Sequence, residues 1–336
     1  MPSATYAAAL PSSDVPRSGQ SHWGRARIWL EWREMRLRPP IAGLLALAAC
    51  ARSQYREVDL SAATSDAGPV ASSAEAPVPV LRFSVAAMES PRNTYSSYSK
   101  LFRRMGDLLG VQIEFIQRRT YREVDDLLAE GKLDAALVCT GGYLDLQRRA
   151  PGAVEVLAVP VVEGDSVYRS LIIVPAISGT TRFEDLAGKR FAYTDDLSFS
   201  GHAWVQHLLA QAGQDDRFFG STVFTHSHDR SIAAVARGLF DGAAVHSLIY
   251  QHLLDRDPSL ARSTRVVHRS PPFGMMPVVA STRMPAAQRA RLRAVLLALK
   301  DDPEGVEALR VLRLDGFSSP APGLFDGAAR VAAELQ

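Results

Sequence analysis

The chain has 336 residues, of which 47% are hydrophobic, a length that favours about two domains with packed cores. It carries 38 basic and 36 acidic residues, so its formal net charge is only +2. This balance excludes the clustered basic face of a nucleic-acid-binding protein, and we expect no nucleic-acid partner. No apolar run reaches the roughly 18 residues that a membrane-spanning helix requires.

Residues 35–50 contain, in order, the features of a bacterial lipoprotein signal peptide. Arg36 and Arg38 give a positive start, and the apolar run 41–49 ends in small residues directly before Cys50. Small residues let a signal peptidase reach the backbone, and the thiol of Cys50 would carry the lipid. We therefore predict an exported protein of the periplasm or cell surface, anchored to a membrane through lipidated Cys50. The alternative is a short buried helix with an incidental cysteine.

The segments on either side of this signal lack the pattern of a folded domain. Residues 1–34 show no clear apolar periodicity, and we interpret them as an extension before a true start at Met35, with a long positive region as the alternative. Residues 51–79 are small, polar and interrupted by proline, so they cannot bury enough apolar area to fold. As a coil, about thirty residues span about 30 Å, which predicts a disordered tether.

From residue 80 onward, the apolar periodicity alternates between that of strands and that of amphipathic helices. The predicted strands are 80–87, 111–116, 135–138, 154–161, 170–174, 191–194, 222–225, 243–246, 265–268 and 278–281. The predicted helices are 98–109, 121–130, 143–149, 183–190, 202–212, 231–237, 248–254, 286–299 and 303–312. This alternation predicts an α/β fold with a mostly parallel sheet and helices on both faces. Cys139 ends a buried strand, so we expect a core residue there rather than a reactive thiol.

Seven short motifs occur in this region in a fixed order. They are Gly131–Ala135, Tyr168–Val174, Phe183–Phe191, Ser198–Gly201, Ser227–Asp229, Gly238–Val245 and Ser270–Pro272. Each motif alone is weak. As an ordered set, they resemble the phosphonate/phosphite-type periplasmic substrate-binding proteins of ABC transporters, over about 80–315.

The resemblance implies the type II periplasmic binding protein fold, in which two lobes are joined by two crossover strands and each lobe is a mostly parallel sheet flanked by helices. Lobe one would hold 80–175 and 275–320, lobe two 176–274, and a C-terminal tail 321–336. The crossovers would lie near 172–176 and 272–278. The resemblance also implies a receptor without catalysis, cofactor or metal, which closes on a small anionic ligand and passes it to an ABC transporter permease.

The segment 195–202 lies between a predicted strand and a predicted helix, where backbone N–H groups lack partners. Ser198 or Ser200 is placed to cap the helix, Gly201 permits a close backbone approach, and His202 follows. Unpaired N–H groups at a helix start, together with the helix dipole, form an anion site. An ordinary serine cap is the alternative, and the resemblance favours the ligand site.

A second strand-to-helix segment carries Ser227 and His228. The resemblance points to His228 as an oxyanion donor, because an imidazole donates a directed hydrogen bond and is able to carry charge; a satisfied surface histidine is the alternative. After the motif Gly238–Val245, aminophosphonate binders of the family usually carry Asp, whereas this chain has His246 and Ser247. A ligand ammonium would lose its carboxylate partner, so an oxyanion without an essential amine is favoured.

Lobe one offers further candidates where its strands end. Tyr121 begins a predicted helix, and its phenol would reach the anion from the opposite lobe only when the cleft closes. Thr140, Gly141, Gly142 and Tyr143 form a strand-to-helix loop with free N–H groups. The family usually has Gly-Pro in this loop, so the contacts that these four residues make with a ligand stay open.

The first strand is followed by Glu89, Ser90 and Asn93, at the sheet edge where such folds place ligand loops. Asn93 is equally consistent with a plain helix start. We therefore treat these residues as a weaker set of candidates.

Three other functions compete with oxyanion uptake. His202, His226, His228 and His246 would bind Zn²⁺, Cu²⁺ or Ni²⁺ if they converged, but no cysteine or tight histidine spacing supports a metal receptor. An enzyme on a similar fold is disfavoured because the chain has no Gly-x-Ser-x-Gly elbow, P-loop or metal-hydrolase motif. A stand-alone receptor that signals to a membrane sensor kinase is compatible with everything above.

Overall fold

A computed structural model of the chain describes residues 78–335. The predicted extension, the signal peptide with Cys50 and nearly all of the predicted tether lie outside these residues. Among the described helices, none combines the length and apolarity needed to cross a membrane.

Strands and helices alternate along most of the described chain, as the periodicity predicts. The strands are β1 Val80–Val85, β2 Gln112–Phe115, β3 Ala135–Leu137, β4 Val154–Val161, β5 Val167–Tyr168, β6 Ser170–Pro175, β7 Arg190–Tyr193, β8 Ser221–Phe224, β9 Gly242–His246, β10 Thr264–Arg269, β11 Phe273–Gly274, β12 Val278–Ser281 and β13 Gly316–Ser318. The α-helices are α1 Pro91–Leu109, α2 Tyr121–Ala129, α3 Thr140–Arg149, α4 Trp204–Gln211, α5 His228–Ala236, α6 Ser247–Arg256, α7 Pro258–Ser263, α8 Ala286–Ala298, α9 Pro303–Leu312 and α10 Asp326–Glu334.

The strands form two separate sheets, one in each lobe. Lobe one has the order β13-β4-β12-β3-β1-β2, and lobe two has the order β10-β6-β9-β7-β8. In each sheet three strands run parallel, β2-β1-β3 in lobe one and β8-β7-β9 in lobe two. Strands β6 and β12 are the first strands that the chain forms after it passes from one lobe to the other. Each pairs antiparallel with its neighbours. The predicted two-lobed α/β fold is confirmed, but the prediction of mostly parallel sheets is wrong: each sheet is mixed, because the strands after the crossovers and β10 and β13 pair antiparallel.

The first crossover lies slightly earlier in the chain than expected. Strands β5 and β11 pair with each other as a small antiparallel sheet between the lobes. The second crossover thus falls inside the predicted 272–278. The first does not, because β6 is hydrogen-bonded to β9 and β10 and belongs to lobe two. The run Leu171–Val174 is buried throughout, and a fully buried strand has no sequence pattern that distinguishes one lobe from the other. The predicted boundary at residue 175 therefore placed this strand in lobe one.

The predicted C-terminal tail is also different in the structure. Residues 326–334 form α10, with Ala328 and Val331 buried. This short helix contacts α3 in lobe one, α4 in lobe two and the crossover strand β11. Its small apolar residues give too short a pattern for a helix prediction, and its order comes from packing against both lobes.

Helix α1 shows how the sequence sets one of the element boundaries at the cleft. It begins at Pro91, seven residues before the predicted start, because proline suits the first turn of a helix and Ser90 precedes it. It buries Leu101, Phe102 and Met105 on one face, and it ends at Gly110, whose φ of 63° suits glycine. The early start places the N-terminus of α1 directly beside the cleft.

Candidate functional site

The first ligand segment of lobe two joins β7 to α4. Ser198 caps it, since its hydroxyl accepts the Gly201 N–H at 3.0 Å, and a π-helical turn, Phe199–Ala203, leads into α4. The Ser200 hydroxyl, in contrast, is buried and has no hydrogen-bond partner. A Cβ at Gly201 would lie 2.5 Å from the Thr194 side chain, so glycine is required by packing against the protein itself. The predicted segment therefore supplies one capping hydroxyl and one unpaired hydroxyl.

The second segment places His228 in the interior at the start of α5. The His228 Nδ1 accepts the backbone N–H of His246 at 3.2 Å and lies 3.0 Å from Thr194 Oγ1. Because Nδ1 accepts, this hydrogen-bond network assigns the ring proton to Nε2. Burial lowers the pKa of His228 to about 3, so the ring is neutral near pH 7 and the charge expected of it is absent. Beside it, the buried Ser227 hydroxyl has no partner.

His246, at the end of β9, is a second neutral imidazole. Its Nδ1 accepts the Leu248 N–H at 3.2 Å, which assigns the proton to Nε2, and that atom has no partner. Burial lowers the pKa of His246 well below its usual value. The ring stacks on Tyr168, with centroids 4.1 Å apart and planes 3° from parallel, and its centroid lies 5.9 Å from that of His228. Two imidazole N–H donors thus lie side by side in lobe two.

Lobe one contributes Tyr121, which is completely buried at the start of α2. Its hydroxyl has no partner, and burial raises its pKa well above the usual value, with Cys139, Asp195 and Tyr168 near enough to add to the rise. The phenol therefore keeps its proton and remains a donor. The same residue donates its backbone N–H to Asp195 of lobe two at 3.3 Å.

These side chains belong to one site, which we call the donor cluster: Tyr121, Ser200, Ser227, His228 and His246. Tyr121 and His246 are both neighbours of Tyr168. The Ser170 hydroxyl donates to the Ser200 carbonyl at 2.6 Å, and Ser170 is the strand partner of His246. Ser227 and His228 are adjacent in the chain. The cluster lies between the lobes, where the two crossovers meet.

Unpaired polar atoms are concentrated in the donor cluster. Among the described residues, those with a buried, unpartnered side-chain oxygen or nitrogen are Ser84, Glu89, Tyr121, Asp125, Ser200, Ser227 and His246. Leaving such a group unpaired costs about 1–3 kcal/mol. Four of them occur together in one cluster of hydrogen-bond donors, which is the arrangement that an oxyanion would satisfy.

Three of the remaining lobe-one candidates, Ser90, Asn93 and Gly141, contact lobe two. Ser90 N–H donates to Asp229 Oδ1 at 3.0 Å, and the Asn93 amide donates to Asp229 Oδ2 at 2.9 Å. His228 N–H donates to the Met88 carbonyl at 2.9 Å. A Cβ at Gly141 would lie 2.3 Å from the Leu197 carbonyl oxygen. The lobes are therefore closed on the donor cluster, and the carboxylates of Asp195 and Asp229 accept hydrogen bonds from backbone N–H groups of lobe one.

Three predicted residues do not face the donor cluster. The Thr140 hydroxyl donates to the Gly274 carbonyl at 3.0 Å and so supports the second crossover. Tyr143 is one turn further along α3 and packs on Phe325, with ring centroids 5.0 Å apart. The Nδ1 of His202 lies 2.9 Å from the Asp196 carbonyl, on the flank beside α10. Ser200 and His202 are two residues apart, about half a helical turn, so they lie on opposite sides of this segment.

Tyr168, Asp195 and Asp229 also lie at the contact between the lobes and were not among the predicted residues. Tyr168 lies within the motif Tyr168–Val174, but its place on a crossover strand appears only in the structure, because the crossover was expected near 172–176. Asp195 and Asp229 each follow a lobe-two strand near a proposed ligand residue, which places them at the cleft edge. Their partners are backbone N–H groups of the opposite lobe, and no local pattern in the chain predicts such pairs.

The four histidines of the metal hypothesis do not come together. His228 and His246 are neighbours, whereas His202 lies on the flank and His226 is exposed. Within residues 78–335, no group of three or more His, Cys, Asp or Glu side chains is arranged to hold a metal ion. The two neighbouring rings offer N–H donors to the cleft, which suits an anion.

The fold and the donor cluster together define a two-lobed receptor. A family model described as "ABC transporter, phosphonate, periplasmic substrate-binding protein" matches residues 83–322. Because this match covers well over half of the chain, the protein belongs to that family. The resemblance inferred from the ordered motifs is thereby confirmed, and the family is one of exported substrate-binding transport proteins.

Individual relatives agree with this assignment. The protein named Probable ABC transporter phosphite binding protein PhnD1, from Prochlorococcus marinus (strain MIT 9301), is 25% identical over 150 residues, covering 42% of this chain and 50% of that protein. The match thus spans half the length of this relative.

Solved structures of similar proteins share the fold. A binding protein component of an ABC phosphonate transporter from Pseudomonas aeruginosa has a TM-score of 0.72 and 23% identity, covering 77% of this chain and 87% of its own. The Prochlorococcus marinus PhnD1 in complex with methylphosphonate has a TM-score of 0.69 and 18% identity, covering 76% and 98% of the two chains.

Proposed function

We propose that this protein captures a small tetrahedral oxyanion, a phosphonate, phosphite or phosphate-like ion, and delivers it to an ABC transporter permease. The observation that carries the proposal is the set of buried, unpaired donors in the closed cleft: Tyr121, Ser200, Ser227 and His246. Each is held by the fold with a proton available, and the imidazole of His228 lies beside them. A bound oxyanion would satisfy several of these donors at once.

Neutral donors are sufficient for this task. The donor cluster contains no lysine or arginine, so the anion would be held by hydrogen bonds rather than by a counter-charge. Hydrogen bonds to a charged group contribute about 1.5–3 kcal/mol each, and several of them in a closed cleft outweigh the cost of removing a small anion from water. The start of α5 adds the favourable end of a helix dipole.

The choice among anions follows from the same cluster and from the relatives. One relative is named for phosphite, and the solved PhnD1 holds methylphosphonate. In this chain His246 offers an N–H donor where a carboxylate would attract an ammonium group. We therefore infer a phosphite or a small alkylphosphonate as the preferred class, without an essential amine.

Calorimetry of the purified protein tests the proposal. Phosphite, methylphosphonate, phosphate and sulfate are titrated into wild type, Ser200→Ala and Ser84→Ala. Ser84 is a matched control, because its hydroxyl is equally buried and unpaired but belongs to β1, where Ser84 pairs with Ala136 of β3. We expect Ser200→Ala to weaken binding by roughly ten- to a hundred-fold and Ser84→Ala to leave it unchanged. Absence of binding of every anion to wild type would refute the oxyanion function.

We also propose that the mature protein is a lipoprotein anchored through Cys50, on the basis of the residue order in 35–50. Cys50→Ser should release the protein from membranes or block its processing, and fractionation followed by immunoblotting measures this. A Cys139→Ser variant is the control, since that thiol is buried in the core. A Cys50→Ser protein that is cleaved normally and stays with the membrane would contradict the anchor.

A further inference from the structure

The last helix, α10, connects the two lobes on one flank of the cleft. It begins beyond residue 322, where the match to the family model ends. It contacts α3 of lobe one, α4 and the π-helical turn of lobe two, and the crossover strand β11. A single rigid element is thus attached to both moving bodies and to the hinge between them.

Each end of this segment has its own anchor. On lobe one, the Phe325 ring packs on Tyr143, with centroids 5.0 Å apart. On lobe two, the Glu334 carboxylate lies 2.8 Å from Nδ1 of the buried His207. Between the anchors, Ala328 and Val331 are buried. The two ends of α10 therefore hold different lobes.

The middle of α10 reaches the ligand segment through one aromatic ring. A Cβ at Gly327 would lie 3.5 Å from the Phe273 ring, so α10 and this ring are in contact across the crossover strand. Phe273 packs edge-on against Phe199, with centroids 4.6 Å apart. Phe199 lies between Ser198 and Ser200, the capping and the unpaired hydroxyl of the ligand segment. Two packed aromatic rings thus connect α10 to the segment that carries Ser200.

We propose that α10 is a strap that favours the closed arrangement of the lobes and slows release of the ligand. When the lobes rotate apart about the crossovers, α3 and α4 separate. A rigid helix cannot follow both, so one of its two anchors must break on opening. The contacts of Phe325 and Glu334 therefore stabilise the closed state over the open one, and by linkage they tighten ligand binding.

The test compares anchor variants in the full-length protein. Phe325→Ala removes the lobe-one anchor, and Glu334→Gln weakens the lobe-two anchor. Phe325→Tyr keeps the aromatic contact and should behave as wild type. Glu307→Gln is the control, because Glu307 forms an exposed ion pair with Arg310 within α9 and touches one lobe only. Melting temperatures verify that all variants are folded.

Two measurements test the strap. The scattering of the ligand-free protein does not depend on the proposed function, whereas the kinetics of ligand release do. Small-angle scattering of the ligand-free protein should give a larger radius for Phe325→Ala and Glu334→Gln than for wild type. Stopped-flow kinetics with methylphosphonate should show release faster by about three- to tenfold, the range expected for losing one aromatic contact or one hydrogen bond, with association unchanged. An unchanged radius and release rate in both variants would overturn the strap. If wild type binds no methylphosphonate, the proposed ligand fails, while the scattering still decides the strap.

Discussion

The two lobes meet the cleft with different chemistry. Lobe two supplies most of the donor cluster, with Ser200, Ser227, His228 and His246 on neighbouring segments. Lobe one supplies the Tyr121 hydroxyl and otherwise gives backbone N–H groups to lobe-two acceptors such as Asp195 and Asp229. The difference indicates an order of events. The anion would first meet lobe two, and lobe one would then complete the cluster and lock it.

The largest effect should come from removing a lobe-two donor. His228→Ala deletes a buried N–H donor and should weaken the binding of phosphite or methylphosphonate by roughly ten- to a hundred-fold, measured by calorimetry. His202→Ala is the control, since that ring belongs to the same lobe but lies on the flank. Wild-type affinity in His228→Ala would mean that the donor cluster is misassigned.

A smaller effect is expected from lobe one. Tyr121→Phe removes one hydroxyl and keeps the buried ring, so binding should weaken by about tenfold, mainly through faster release. Without ligand the same variant should melt at a higher temperature than wild type, because it deletes a buried hydroxyl that has no partner. Surface plasmon resonance and scanning calorimetry measure the two changes. A slower association with unchanged release would reverse the proposed order of the lobes.

Much of this arrangement could be predicted from the chain, and the rest depends on contacts between distant segments. The alternation of strand and helix patterns predicted the α/β fold. Ser200, Ser227 and Tyr121 were proposed from their places between a strand and a helix, whereas His228 and His246 were proposed through the family resemblance. Ser200 and His202 are about half a helical turn apart, so this spacing already implied that they face opposite sides. The tautomers of His228 and His246 follow from backbone partners that only the folded chain supplies.

The next effect concerns specificity within lobe two. His246→Asp replaces an N–H donor with a carboxylate, which would repel an anion and attract an ammonium group. Relative to wild type, we expect the preference for 2-aminoethylphosphonate over methylphosphonate to rise by about tenfold, measured as a ratio of dissociation constants. His246→Asn is the control, because it keeps a polar group without the charge. A wild-type protein that already prefers the amine-bearing ligand would contradict the inference drawn from His246.

The smallest effect is expected from the Glu89 carboxyl, a titratable group that lobe one places at the closed cleft. Burial raises the pKa of the Glu89 carboxyl to about 7, the nearby Asp229 adds to the rise, and Arg256 opposes it. A carboxyl whose folded pKa is raised stabilises the fold below its ordinary pKa, and this contribution is lost as the pH rises through about 7. Glu89→Gln should therefore melt about 2 °C or more above wild type at pH 8, and the difference should shrink towards pH 5 and be lost below the ordinary pKa of 4.5.

Comparison at each pH is necessary because the buried histidines act in the opposite sense. The lowered pKa values of His228 and His246 mean that the unfolded chain takes up protons first as the pH falls below about 6.5, which destabilises wild type and variant equally. The exposed Glu114→Gln variant controls for the loss of a surface charge. A Glu89→Gln protein whose melting temperature differs from wild type by the same amount at pH 5 and pH 8 would show that Glu89 carries no buried charge. Lobe one would then bring no buried charge of its own to the cleft.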